Sequence, residues 1–287
     1  MDDKKAAIVL KHIERMPSLS PTVGKIMQVA NDPASSANDL NKVISLDPVL
    51  AAKVLKLVNS AYFGFGDKIT STVRAIVILG LNTIKNLALS TAALETMAIK
   101  EKGGLDIDEY WKHVLGTGVM CKLIAREIAI PKDNLEDYFL AGLLHDIGKV
   151  VLNRLNAQGY HKLIAAAETK NILLASAEGV VFGINHSEIG KVLGQKWGLN
   201  PPLVEAMSLH HTPQKCDDEH KKIVYTTHVA NVFVKQHSVG DSGNKVLEPV
   251  EDEVFETIGI KREKLEDMTG YLLEGVERAT VFLQTAQ

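Results

Sequence analysis

Ser20-Pro21-Thr22-Val23-Gly24-Lys25-Ile26-Met27-Gln28-Val29-Ala30 sets out the grammar on which this chain is built. Val23, Ile26, Met27 and Ala30 follow the i, i+3, i+4, i+7 spacing of one helix face. Ser20 stands where an N-cap side chain accepts a backbone N–H, and Pro21 suits the first helical position, where its missing donor costs nothing. The pattern recurs downstream. Ser36 with Asp39 precedes Leu40, Val43 and Ile44, and Asp47-Pro48 opens a segment from Val49 to Val58. A loop from Ser60 to Thr70, with Gly64 and Gly66 around Phe65, leads into an apolar region from Val73 to Met97 that breaks around Gly80. Beyond it the spacing predicts helices from Ile107 to Ile130, from Asn134 to about Asn156, and near 160–170, 185–198, 201–209 and 219–238. Val77-Ile78-Leu79 and Gly179-Val180-Val181-Phe182 have a β flavour but are too short and isolated to build a sheet. The expectation is an all-α helical bundle.

Glu101-Lys102-Gly103-Gly104 is the clearest break, because adjacent glycines end a helix and free the chain. It divides an N-terminal helical lobe, 1–102, from a second helical lobe, 103–239. Asp241 to Pro249 reads as a surface loop, and 240–287 as an acidic helical appendix. The composition of the 287 residues, 46% hydrophobic and 23% charged, is that of an ordinary globular protein. A net charge of −3 lacks the basic excess that tracks phosphates, so nucleic acid is not the expected ligand. Two cysteines without a CxxC pair exclude a disulfide framework and a cysteine-rich zinc site, and fit a reducing, cytoplasmic home. No signal segment is visible, and no apolar run approaches the roughly 18 residues of a membrane span, so no membrane association is expected.

The histidines carry the chemistry. His113, His145-Asp146, His186, His210-His211 and then Asn231 are spaced so that each falls on a different helix or helix end. A helical bundle can aim such residues at one interior point. Imidazoles with a carboxylate suit iron, manganese, nickel or zinc rather than calcium, and the two oxygens of one Asp can serve one ion or bridge two.

The stretch Gly142-Leu143-Leu144-His145-Asp146-Ile147-Gly148-Lys149 resembles the signature of the HD superfamily of metal-dependent phosphohydrolases. A finer resemblance is to the HDOD family, the HD-related output domains of bacterial signalling proteins. Its elements run in order: Met16-Pro17-Ser18-Leu19, Leu46-Asp47-Pro48, Val58 to Gly64, Arg74 to Gly80, Trp111-Lys112-His113, the His-Asp stretch, His186 to Gly190, Trp197-Gly198-Leu199, His210 to Pro213 and Val229-Ala230-Asn231. The resemblance implies an N-terminal helical lobe packed on an HD-like lobe, in a regulatory module that acts through signalling protein partners. No receiver, kinase or cyclase segment is visible, so the input is expected from a separate protein. It also implies that His113, His145, Asp146, His186, His210 and His211 align with the ligands of two-metal phosphodiesterases of cyclic dinucleotides, with Lys149 as a phosphate contact and a nucleotide as a conceivable ligand. This chain departs from them in having Asn231 in place of the last Asp, and Thr212-Pro213-Gln214 in place of a Gly-Tyr-Pro element. The Asn removes a negative charge that would offset the metal. A metal-dependent phosphohydrolase is therefore the alternative function.

Plainer readings stand beside each residue. His113 with His145-Asp146 reads equally as a buried hydrogen-bonded set joining helices, and His210-His211 as a helix-end pair with one ring buried and one solvated. His186 fits a capping region, Asn231 a buried hydrogen-bonding residue, and Lys149 a solvated helix residue. Asn59-Ser60 can close a helix, and Tyr62, Phe63 and Phe65 either fold back onto the core or face a partner. His12, His161, His220, His228 and His237 read as surface or ordinary packed residues, and Cys121 and Cys216 as inert thiols.

Overall fold

A computed structural model describes residues 3–97 and 103–286. Glu101 and Lys102, at the expected lobe boundary, lie outside the described residues. The first half runs α1 (Asp3–Arg15), α2 (Pro21–Asn31), α3 (Ala37–Ile44), α4 (Pro48–Val58), α5 (Thr72–Leu79) and α6 (Leu81–Thr96). There follow α7 (Ile107–Glu127), α8 (Leu135–Leu144), α9 (Ile147–Leu155), α10 (Ala157–Thr169), α11 (Leu174–Phe182), α12 (His186–Lys196), α13 (Pro201–Leu209) and α14 (Lys221–Gln236). The chain closes with α15 (Asp252–Ile258), α16 (Arg262–Glu266), α17 (Thr269–Ala279) and α18 (Val281–Ala286). Among the described residues there is no strand, so the fold is all-α; both short β-flavoured runs end helices, α5 and α11.

The local chemistry of the N-terminal helices is as the sequence writes it. Ser20 accepts from the Val23 N–H, Asp47 from the Leu50 N–H, and Ser36 and Asp39 form a reciprocal capping box. The reading that began at Ser20 passed over α1, although Ala6, Val9 and Ile13 are buried at helical spacing. The expected helix from Asn134 to about Asn156 is two helices, α8 and α9, and the break falls at His145-Asp146.

One hydrophobic cluster runs from Ala6 to Phe282. It joins the two halves where α6 packs on α8, and the C-terminal helices fold back onto both, α17 against α7 and α18 against α6 and α4. Lys196 of α12 donates to the carbonyls of Ile13, Glu14 and Met16, satisfying the C-terminal end of α1 with a cation. Tyr62 and Phe63 fold back onto this core, with Tyr62 against Phe139 and Phe282, while Phe65 remains exposed. Asn59 closes its helix with bonds to Leu55 and Ile69, as the plainer reading has it. No single helix among the described residues is long and apolar enough to cross a membrane.

A close crossing is that of α7 on α8, the two helices that bring His113 to the His-Asp junction. A Cβ at Gly142 would lie 2.6 Å from the Gly118 backbone, and one at Gly118 would lie 2.8 Å from the Phe139 carbonyl. Only a pair of bare backbones fits there. Gly142→Ala is expected to cost about 1–3 kcal/mol by overpacking. Gly24→Ala, with nothing within 4 Å of its Cβ, is expected to gain about 0.5–1 kcal/mol from helix propensity. Denaturant titration of the two variants checks the pair, and equal effects would mean that the α7–α8 crossing is looser than this.

Candidate metal centre

Four elements deliver the site. His113 projects from the second turn of α7, His145 and Asp146 form the α8–α9 junction, His186 is the first residue of α12, and His210 ends α13. The junction lets two adjacent residues face the same interior point. Asn185 and Glu188 fix the start of α12 by a capping box, and Gly148 lets it approach, since a Cβ there would lie 2.1 Å from the His186 carbonyl. The side chains of His113, His145, His186 and His210 are fully buried, and Asp146 is 1% exposed.

Asp146 is the hub. Its Oδ2 lies 3.3 Å from His145 Nε2 and 3.7 Å from His113 Nε2, and its Oδ1 lies 3.3 Å from His186 Nε2 and 3.6 Å from His210 Nε2. His211 Nε2 completes the cluster at 2.9 Å from His186 Nε2. Two groups of ligand atoms thus share one carboxylate: Asp146 with His186, His210 and His211, and Asp146 with His113 and His145.

The outer nitrogens settle which way the rings are protonated. His145 Nδ1 donates to the Gly142 carbonyl at 2.7 Å and His210 Nδ1 to the Met207 carbonyl at 3.0 Å. His186 Nδ1 donates to Glu178 at 2.5 Å and His211 Nδ1 to Glu248. These oxygens only accept, so each Nδ1 carries the proton and each Nε2 turns a lone pair inward. Two such lone pairs 2.9 Å apart, with His145 Nε2, His210 Nε2 and Asp146 Oδ1 buried and without a hydrogen-bond partner, are what a bound cation would relieve. The donor set, all nitrogen and carboxylate oxygen, fits a divalent transition metal.

Burial holds His113 and His210 well below the ordinary histidine value, and brings His211 to about 4. Burial works to raise the Asp146 carboxyl, but His145 and Lys149 outweigh it and hold it well below the usual range. Glu178 and Glu248 are likewise held low against burial, Glu178 by His186 and Glu248 by His211 and Lys235.

Several residues stand differently from their sequence readings. Lys149 is not a solvated helix residue: it is 1% exposed, with Nζ 2.6 Å from Asp146 Oδ2 and 3.0 Å from the Ser242 carbonyl. His211 is not the solvated half of a pair, its side chain being 10% exposed. His228 belongs to the surroundings of the centre, donating from Nδ1 to the His210 carbonyl at 2.7 Å. The expected surface loop from Asp241 to Pro249 is drawn inward, with Ser242, Asn244 and Glu248 buried. Asn231 is buried on α14, and its Oδ1 has no hydrogen-bond partner. Cys121 is a buried thiol that burial pushes up to about 12, and Cys216 is also raised, which makes both poor nucleophiles. The sequence reading missed Glu178 and Glu248, which bond to ring nitrogens from 8 and 37 residues away.

The buried rings of His113, His210 and His211 predict a pH dependence for the metal-free chain. Below the ordinary histidine value of about 6.5 the unfolded chain takes up protons that the folded one refuses. Stability present above that value is therefore lost as the pH falls through the window down to about 4, where His211 itself titrates. Thermal unfolding of chelator-treated protein is expected to show a midpoint several degrees lower at pH about 5 than at about 7.5. An unchanged midpoint would mean that these rings are already charged when folded.

Comparison with known proteins finds the same fold in solved structures. An HDOD domain protein with unknown function from Geobacter sulfurreducens superposes with a TM-score of 0.80 at 24% identity, over 97% of this chain and 96% of that one. A candidate phosphohydrolase from Shewanella amazonensis SB2B does so with a TM-score of 0.69 at 23% identity, over 94% and 97%. A candidate signal transduction protein from Marinobacter aquaeolei VT8 gives 0.75 at 20% identity, over all of this chain and 66% of that one. At these identities the likeness is one of fold. An uncharacterized protein from Treponema pallidum (strain Nichols) is 26% identical over 232 residues, 81% of this chain but 44% of the relative, so the chain spans less than half of that protein's length. Residues 16–213 match the family model of the HDOD domain, a span that holds every histidine of the cluster and its central carboxylate, and on that match the chain belongs to the HDOD family.

Proposed function

We propose that this chain is a regulatory module of a signalling system that works through protein contacts, with a transition-metal centre of iron, manganese, nickel or zinc joining its helices. The observation that carries the reading is the closure of the centre. The four rings nearest Asp146 are fully buried, and Asp146 and Lys149 are each 1% exposed. Catalytic metal sites keep a coordination position open to substrate, whereas structural sites are closed by protein ligands. Burial of these groups leaves a phosphate ester little of the cluster to meet, and the Lys149 ammonium is already engaged by Asp146 and Ser242.

Contact with a protein partner is supported by exposed apolar side chains on adjoining helices. Ile8 of α1 is 63% exposed and Val180 of α11 76%, and Lys5 ties the two helices by bonding the Val180 carbonyl. The alternative, a phosphohydrolase, is favoured by one observation: two ligand groups share Asp146, the arrangement from which two ions clamp a phosphate.

The test uses Asp146→Ala, which removes the residue common to both groups. Wild-type protein, purified without added chelator or nickel affinity, is expected to carry transition metal by elemental analysis and to show no turnover of cyclic dinucleotides. The variant should lose the metal and several degrees of thermal midpoint. Metal-dependent hydrolysis by the wild type, absent from the variant, would replace the regulatory reading with the hydrolytic one, and a folded, metal-free wild type would remove the centre.

A further inference from the structure

The two oxygens of Asp146 face unequal surroundings. On the Oδ1 side, His186 Nε2 lies at 3.3 Å and His210 Nε2 at 3.6 Å, with His211 Nε2 2.9 Å from His186 Nε2. An ion held tetrahedrally at about 2.0–2.1 Å sets its ligand atoms roughly 3.3 Å apart, and these edges of 2.9 to 3.6 Å bracket that value. Two of these rings are backed by buried carboxylates: Glu178, itself fixed by the Tyr160 hydroxyl at 2.5 Å, and Glu248, fixed by Lys235 at 2.8 Å. Such backing raises the basicity of a ligating ring and supplies the negative charge that the ligands themselves lack.

The Oδ2 side is otherwise. The Lys149 ammonium sits on this oxygen at 2.6 Å and is held from behind by the Ser242 carbonyl at 3.0 Å. His145 Nδ1 is backed only by a neutral carbonyl, and His113 Nδ1 has no hydrogen-bond partner. Among the described residues no carboxylate stands behind either ring. A dication here would meet a fixed positive charge in a buried site, where like charges repel far more strongly than in water.

We propose that the centre takes one divalent transition-metal ion, among Asp146, His186, His210 and His211, and that the Lys149 ammonium stands in the place of a second. The inference rests on the metal-centre reading above and fixes its stoichiometry and its side. It also bears on chemistry, because one ion beside an ammonium cannot provide the pair of metals that holds attacking and leaving oxygens in a two-metal displacement.

The full chain, stripped with chelator, loaded with excess zinc or manganese and desalted, is read by elemental analysis, with circular dichroism as the control for folding. The wild type should hold about one equivalent. His186→Ala and His211→Ala should lose it, His113→Ala should keep it, and Lys149→Met should admit a second. Glu178→Gln, which keeps the shape but not the charge, should weaken binding about 10-fold or more. Two equivalents in the wild type, or loss in His113→Ala with retention in His211→Ala, would overturn the proposal while leaving the metal centre standing. A wild type that takes up no metal would overturn both. A folded Lys149→Met protein that stays at one equivalent would overturn the stand-in role of the ammonium, and if that variant does not fold, the comparison of His113→Ala with His211→Ala still decides the side.

Discussion

The buried carboxylate of Asp146 is the constraint on which the interior depends. Taking a charged carboxylate out of water costs several kcal/mol unless partners surround it, and this one is 1% exposed. It is compensated by Lys149 on one oxygen, while the imidazoles around both turn lone pairs toward the space that a cation would fill. These side chains arrive from α7, the α8–α9 junction, α9 itself, α12 and the end of α13, so the cluster exists only when all of these have docked. The close crossing of α7 on α8 at Gly118 and Gly142, and of α9 on α12 at Gly148, brings the backbones near enough for short side chains to meet.

Around that hub runs a second ring of contacts that fixes orientation. Each of four imidazoles spends its outer nitrogen on an oxygen, two on helix-end carbonyls and two on carboxylates. A ring held at its back has one remaining direction for its lone pair, and here that direction is inward. The segment between α14 and α15 closes the arrangement, reaching Lys149 through the Ser242 carbonyl and His211 through Glu248. A stretch that reads as polar and loop-like thus seals the centre from solvent, because its polar groups are those that complete buried partners.

The all-helical class, the N-terminal helix starts and the residues of the cluster were legible in the sequence because their signals are local. A cap and its N–H lie three residues apart and a buried face repeats every turn, while the cluster residues stood out through the ordered series of short elements around them rather than through histidine beside aspartate alone. The break between α8 and α9 was not legible: Leu143-Leu144-His145-Asp146-Ile147 keeps its apolar spacing through the junction, and no Gly or Pro falls between the two helices.

The sequence by itself therefore determined the helical class, the capped helix starts of the N-terminal half and which side chains carry metal-ligand chemistry, since propensity, capping and ligand chemistry belong to single residues and near neighbours. Tertiary structure decided what those side chains meet. Glu178 and Glu248 became partners of ligand rings, His228 a support for His210, and Lys149 a buried counter-charge to Asp146. A carboxylate, an imidazole or an ammonium looks the same in sequence whether it is solvated or buried. Its role here was set by distances of 2.5 to 3.7 Å across helices far apart in the chain, and by the loss of water that makes such distances count.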